Sequence, residues 1–119
     1  MEILRIEDFV RTENPNPKER YRLDLITPEQ RAEKLSGFLA VLPAGREVPY
    51  HFHENRESLI IVISGEAVEI CEGKEHPIKA GDVIYIPAAE KHGLINRSAR
   101  DVRYLEFFTP VREDFIEVS

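Results

Sequence analysis

The chain has little cysteine, few basic residues relative to acidic ones, and no long apolar run. Its single cysteine, Cys71, has no partner for an internal disulfide, so the fold cannot depend on an oxidising compartment. Basic residues number 16 against 22 acidic ones, a formal net charge of −6. That balance argues against a general nucleic-acid or anionic-membrane surface, because such partners attract basic faces. No apolar stretch approaches the roughly 18 residues that a spanning helix needs. The start, Met1-Glu2-Ile3-Leu4-Arg5, lacks the basic opening and long apolar segment of a secretory signal. The expected location is the cytoplasm. No internal repeat or low-complexity run interrupts the 119 residues, which suit one domain with a single core. Apolar residues at 42% and charged residues at 32% fit a globular chain.

What is present is mostly short strands and turns. Met1 to Phe9 reads as an edge strand, with Ile3, Leu4 and Ile6 among charges. Asn14-Pro15-Asn16-Pro17 is a loop, since each proline lacks a donor and restricts the residue before it. Tyr21 to Ile26 alternates apolar with charged residues, the mark of a half-buried strand. Thr27 to Lys34 opens with a helix-capping pattern at Thr27-Pro28-Glu29-Gln30, yet is short enough to be a loop instead, and both readings stand. Further strands are expected at Phe38–Leu42, Glu47–His53, Ser58–Ile63, Ala67–Cys71, Val83–Ile86, His92–Ile95 and Val102–Phe108. Glu72-Gly73-Lys74 forms a hairpin turn, and Asp114 to Val118 is a tail. Short strands punctuated every eight to twelve residues or so indicate a sandwich or barrel.

The chemistry concentrates between Gly45 and Asn96. Three of the four histidines lie there. Gly45 is followed by His51-Phe52-His53, then Glu57, an apolar run and Gly65; Gly81 is followed by Pro87, His92 and Asn96. These two blocks resemble the paired motifs of the cupin family, Gly-x5-His-x-His-x3–4-Glu-x6-Gly and Gly-x5-Pro-x-Gly-x2-His-x3-Asn. Ala89 stands where the second motif has glycine. The resemblance implies an all-β double-stranded β-helix, a jelly-roll barrel with little or no helix. It also implies one divalent ion, with Mn, Fe, Ni and Zn all represented in the family.

Alternate residues of a strand share a face, which places the rings of His51 and His53 side by side about 6–7 Å apart along the chain. His92, from another strand, would complete a three-imidazole set, each donor reaching the ion at about 2.0–2.1 Å. The fourth position is open to two counts. Forward from His53, Glu57 has the family spacing. Backward from Gly65, the register falls on Ser58, and Ser58, Ile60 and Val62 would then share the inner face, turning Glu57 away unless a bulge re-aims it. Water would then complete the site. His76, beside Pro77 in a polar turn, is read as a surface residue. Gly45, Gly65 and Gly81 suit turns with positive φ, and Asn96 suits a loop-holding role. Tyr85, Tyr104 and Phe107 are candidate pocket residues. Arg46, Arg56 and Arg103 are read as solvated.

The resemblance implies three candidate functions: a metal-dependent enzyme on a small polar organic acid or sugar (isomerase, lyase or decarboxylase), a metal-dependent dioxygenase, and a non-catalytic small-molecule binding or sensing module. Met1 to Val10, read as a strand before a proline-rich hinge, suggests a homodimer paired through that edge. Because imidazole binds metal only when neutral, stabilisation by metal should shrink as pH falls towards 5, with the metal-free protein varying less.

Overall fold

The computed structural model describes residues 1–27, 29, 32–110 and 115–118. Its elements are α1 (Ile6–Val10), β1 (Tyr21–Ile26), β2 (Ser36–Leu42), β3 (Glu47–Phe52), β4 (Glu57–Ser64), β5 (Glu66–Cys71), β6 (Lys74–Lys79), β7 (Val83–Ile86), β8 (His92–Ile95), β9 (Val102–Thr109) and β10 (Ile116–Glu117). They form two five-stranded antiparallel sheets, β1-β2-β9-β4-β7 and β10-β3-β8-β5-β6. This is the jelly-roll barrel that the motifs imply. Strands expected from alternation lie where they were read, to within one or two residues at the ends. Two additions stand out. Lys74–Lys79 is a strand in its own right, an edge strand that tolerates Pro77. The expected tail contributes β10, paired with His51 and Phe52.

The apolar run of β2 explains how the first sheet is sandwiched. Phe38, Ala40 and Leu42 point into the barrel with Val48, Ile60, Val62, Val102 and Phe108. Leu39 and Val41 point the other way, into a second cluster with Leu25, Leu105, Ile61, Ile63 and Phe107. Every residue of β2 is therefore buried. Fully burying one such side chain contributes roughly 1.5–3 kcal/mol.

The second cluster also decides the N-terminus. Ile6–Val10 is a short helix, not the expected edge strand. Phe9 packs against the outer cluster, Glu7 and Asp8 in the first turn oppose the positive end of the helix dipole, and Arg103 donates to the carbonyls of Phe9 and Thr12. One apolar contact to the sheet is satisfied by a single turn, whereas a strand would need a partner edge. A homodimer paired through a strand at Met1–Val10 is thus not supported by this segment. The open reading of Thr27–Lys34 includes Pro28, Gln30 and Arg31, which lie outside the described residues.

Turn chemistry follows the sequence. Gly45, Gly65 and Gly81 all have positive φ. At Gly65 a side chain is excluded twice over, by φ of 83° and by the Asp101 carbonyl, 2.4 Å from where a Cβ would stand. Asn96 is fully buried. Its Nδ2 donates to the carbonyls of Leu42 and Arg100 at 2.9 and 2.7 Å, and its Oδ1 accepts from Ser98 N at 3.0 Å. It pins the β8–β9 connection, as expected of a structural asparagine.

Candidate metal centre

His51 on β3 and His92 on β8 are direct cross-strand partners, so their side chains leave the same face of the second sheet. His53 follows one residue beyond β3, held by Ala89 N–H donating to its carbonyl at 2.7 Å. Ala89 itself has φ of 68°. The family glycine position is thus a left-handed residue here too, occupied by alanine at some conformational cost. The irregular pairing of β3 falls between Val48 and His51, around Pro49, which has no N–H to give the ladder.

All three histidines are buried, and their nearest ligand nitrogens lie within 4.8 Å of one another. Ring centroids are 4.2 Å apart for His51 and His92, and 4.9 Å for His51 and His53. The Nδ1–H of His51 donates to the Pro49 carbonyl at 2.6 Å, and that of His92 to the Glu90 carbonyl at 3.0 Å. A carbonyl can only accept, so these bonds fix the tautomer and leave Nε2 as the lone-pair nitrogen. Burial pushes His51 down to about 3, with the neighbouring histidines adding to the effect, and also lowers His92. His51 and His92 are therefore held neutral, the form that binds metal. The donor set fits a divalent transition metal: three convergent buried imidazoles, two of them oriented and held neutral by the fold itself.

Glu57 is not brought to this cluster. Pairing of β4 with β9 is regular from Glu57 to Val62, and its one irregularity comes at Val62–Ser64, too late to re-aim Glu57. Ser58, Ile60 and Val62 are buried, while Glu57 is exposed and accepts a hydrogen bond from Tyr85 Oη at 2.5 Å. Tyr85 lies on the outer face as well, 58% exposed. Ser58 does face inward, as the backward count requires, yet its hydroxyl is committed. It accepts from Arg56 Nε at 3.1 Å and donates to Glu106 Oε2 at 3.0 Å. Arg56 Nη2 also pairs with Glu106 Oε2, and the guanidinium lies 3.7 Å from the Phe108 ring centroid. Cys71 is in register with His92, but its thiol donates to Glu90 Oε1 at 2.5 Å. Burial and Glu90 push it up to about 12, so it remains a protonated thiol rather than a soft ligand.

The histidines line a cavity of about 180 Å³ whose other polar walls are Arg20, Arg22, Arg56, Glu69, Tyr104 and Glu106. Phe115, just before β10, stacks on His51 with centroids 4.1 Å apart. Of the candidate pocket residues, Tyr104 is buried in this wall, where burial raises its phenol to about 12. Phe107 is not in it. Along β9, Tyr104, Glu106 and Phe108 face inward, which turns Phe107 to the outer cluster. Of the three arginines read as solvated, Arg56 is buried in the site; Arg46 and Arg103 hold backbone carbonyls elsewhere. Glu69 and Glu106 were missed in the sequence. Their signal is there: each is a carboxylate on the inward register of an otherwise apolar strand face, between Ala67 and Cys71 and between Tyr104 and Phe108.

Comparison with known proteins agrees with this architecture. An oxalate-binding protein from Thermotoga maritima is 38% identical over 64 residues, which span 54% of this chain and 53% of that relative. The chain thus matches only about half the length of that curated relative. Among solved structures, the polyketide cyclase RemF from Streptomyces resistomycificus superposes with a TM-score of 0.81 and 25% identity, over 100% of this chain and 86% of that one. A predicted oxalate decarboxylase from Thermotoga maritima gives a TM-score of 0.71 and 28% identity, over 77% of this chain and 81% of that one. Residues 38–108 match the cupin domain. With a two-sheet roll, three convergent histidines and a family match over more than half its length, the chain belongs to the cupin family.

Proposed function

We propose that this protein is a mononuclear metal enzyme acting on a small anionic organic acid, in a reaction of the isomerase, lyase or decarboxylase type. The observation that carries the reading is the three-imidazole cluster opening into a small cavity walled by arginines and carboxylates. His51, His53 and His92 would hold the ion, one of Mn, Fe, Ni or Zn. When bound, such an ion supplies Lewis-acid polarisation of a carbonyl or carboxylate oxygen.

The chain's own residues do the rest. The carbonyls of Pro49 and Glu90 orient two of the imidazoles. Arg20 and Arg22 line the cavity and favour an anion there. Arg56, Ser58 and Glu106 form a closed hydrogen-bonded set that keeps one carboxylate fixed in the wall. Tyr104, kept as a neutral phenol, is a donor and not a base. Phe38, Ile60 and Leu94 exclude water from the remaining wall. At about 180 Å³ the cavity suits a ligand of a few carbon atoms; drug-sized ligands occupy about 300–1,000 Å³. The relatives named for oxalate support an organic acid of that size.

The test is elemental analysis of untagged protein, followed by proton NMR of the metal-loaded protein with a panel of two- to six-carbon hydroxy-, keto- and dicarboxylic acids. About one ion per chain and turnover of at least one acid are expected. Protein that retains no Mn, Fe, Ni or Zn after loading would overturn the reading. Saturable binding of an acid without turnover would favour a binding module instead.

A further inference from the structure

One buried carboxyl oxygen in the cavity is left without a partner among the described residues. Glu69 is 5% exposed and lines the cavity with the histidines, yet its Oε1 has no hydrogen-bond partner among the described residues. Every other carboxylate near it has one. Glu106 is matched by Arg56 and Ser58, and Glu90 accepts from Cys71. A buried polar atom without a partner is costly, and native structures rarely leave one unexplained. Replacing Glu69 with an apolar residue would remove that cost, so a structural role does not account for it. Its place in the wall of a ligand-sized cavity does.

The missing partner must come from the contents of the cavity, water or ligand, and the surroundings limit what a ligand can offer. Glu69 shares the cavity wall with Glu106, Tyr104 and Ile78, and pairs across the sheet with His76 of β6 and Leu94 of β8. Burial, then the charge of Glu106, push the Glu69 carboxyl up to about 8. A second carboxylate from the ligand would meet Glu69 only in its protonated form. A hydroxyl meets it in either form, since it donates to a carboxylate and accepts from a carboxyl. Arg20, hydrogen-bonded to Tyr104, and Arg22, paired with Asp24, line the same cavity and add positive charge beside the ligand's own carboxylate.

We propose that Glu69 is a specificity-determining residue that receives a hydroxyl group of the ligand, so that the cavity selects polyhydroxy acids, of the sugar-acid type, over acids lacking that hydroxyl. The proposal rests on the reading of the cavity as an organic-acid site and names the class of acid.

A pair of acids isolates the contact. Lactate and glycerate share an α-hydroxy carboxylate, so any direct attraction to a metal ion is common to both. Glycerate adds one hydroxyl. Zinc-loaded protein would be titrated calorimetrically at pH 7 with both acids, each as both enantiomers. One glycerate enantiomer should bind tighter than lactate by about tenfold, the scale of one added hydrogen bond to a buried partner. In Glu69→Met and Glu69→Ala that ratio should fall to near one. The two substitutions differ in volume, so a packing defect in one does not remove the test. Equal affinity for the two acids in the wild type, or a ratio unchanged in the variants, would overturn the proposal and leave the organic-acid reading standing. Failure of both acids to bind the wild type would count against that reading, and this proposal would fall with it.

Discussion

Tyr85 Oη donates to Glu57 Oε1 at 2.5 Å on the outer face of the first sheet, across paired strands β4 and β7. The contact places the motif glutamate on the opposite side of its strand from the three histidines. Glu57→Ala should therefore leave metal affinity within about twofold of wild type. His92→Ala should lower it by more than about 100-fold, since even groups that only orient a ligand are worth about 10–100-fold. Competition with a chelator measures both. Equal losses in the two variants would show that β4 rearranges to bring Glu57 inward.

The Arg56–Glu106 pair is buried, with side chains 5% and 10% exposed. Removing either partner strands a charge in the interior. Arg56→Met should cost about 3–5 kcal/mol of stability by urea unfolding. The double variant Arg56→Met/Glu106→Met should lose less than the sum of the single changes, because neither charge is then left alone. Additive losses would mean that the two side chains do not depend on each other.

Ala89 reverses the usual rule for glycine. Its φ of 68° is a left-handed position that costs a non-glycine residue about 1–2 kcal/mol. Glycine relieves that strain but adds about 0.4–1 kcal/mol of unfolded-chain entropy. Ala89→Gly should thus leave stability unchanged or raise it by up to about 1.6 kcal/mol. A loss of that size in thermal unfolding would show that the alanine methyl group is needed for packing.

In the metal-free protein the buried histidines should withdraw stability on acidification, contrary to the near-flat behaviour expected from the barrel core alone, while Glu69, raised to about 8, contributes in the opposite sense. An unfolded histidine titrates near about 6.5, whereas burial holds His51 at about 3 and lowers His92. Between those values the unfolded chain binds protons that the folded chain refuses, so stability falls as pH falls. The contribution is complete above about pH 6.5 and is lost progressively towards about 3 for His51. Allowing for solvent screening, the loss by pH 5 should be on the order of 1 kcal/mol. The difference between melting curves of metal-free wild type and His51→Gln from about pH 7.5 to 5 would show it, since the Glu69 contribution is common to both; a difference that does not change with pH would exclude it. The metal-dependent gain in melting temperature should shrink over the same range, because protons compete for the same nitrogens.

The sequence by itself determined the class and the candidate ligands. Alternation of Tyr21–Ile26 and the turn glycines are local, and so is the spacing of His51 and His53 on one strand face; each reads directly off the chain. The backward count from Gly65 also placed Ser58 inward, because strand period is a local property. Only the tertiary structure decided what depends on a neighbouring strand. Met1–Phe9 carries apolar residues that suit strand or helix alike; the open apolar face beside Leu39 and Leu105 made it a helical turn. Arg56 looks solvated until β9 sets Glu106 opposite it. Glu69 looks like any charged strand residue until the roll closes over it and leaves one oxygen unmatched. Spacing along a chain fixes which side chains share a face. Closure of the two sheets fixes which faces meet, and that is a sum of long-range contacts that no short stretch contains.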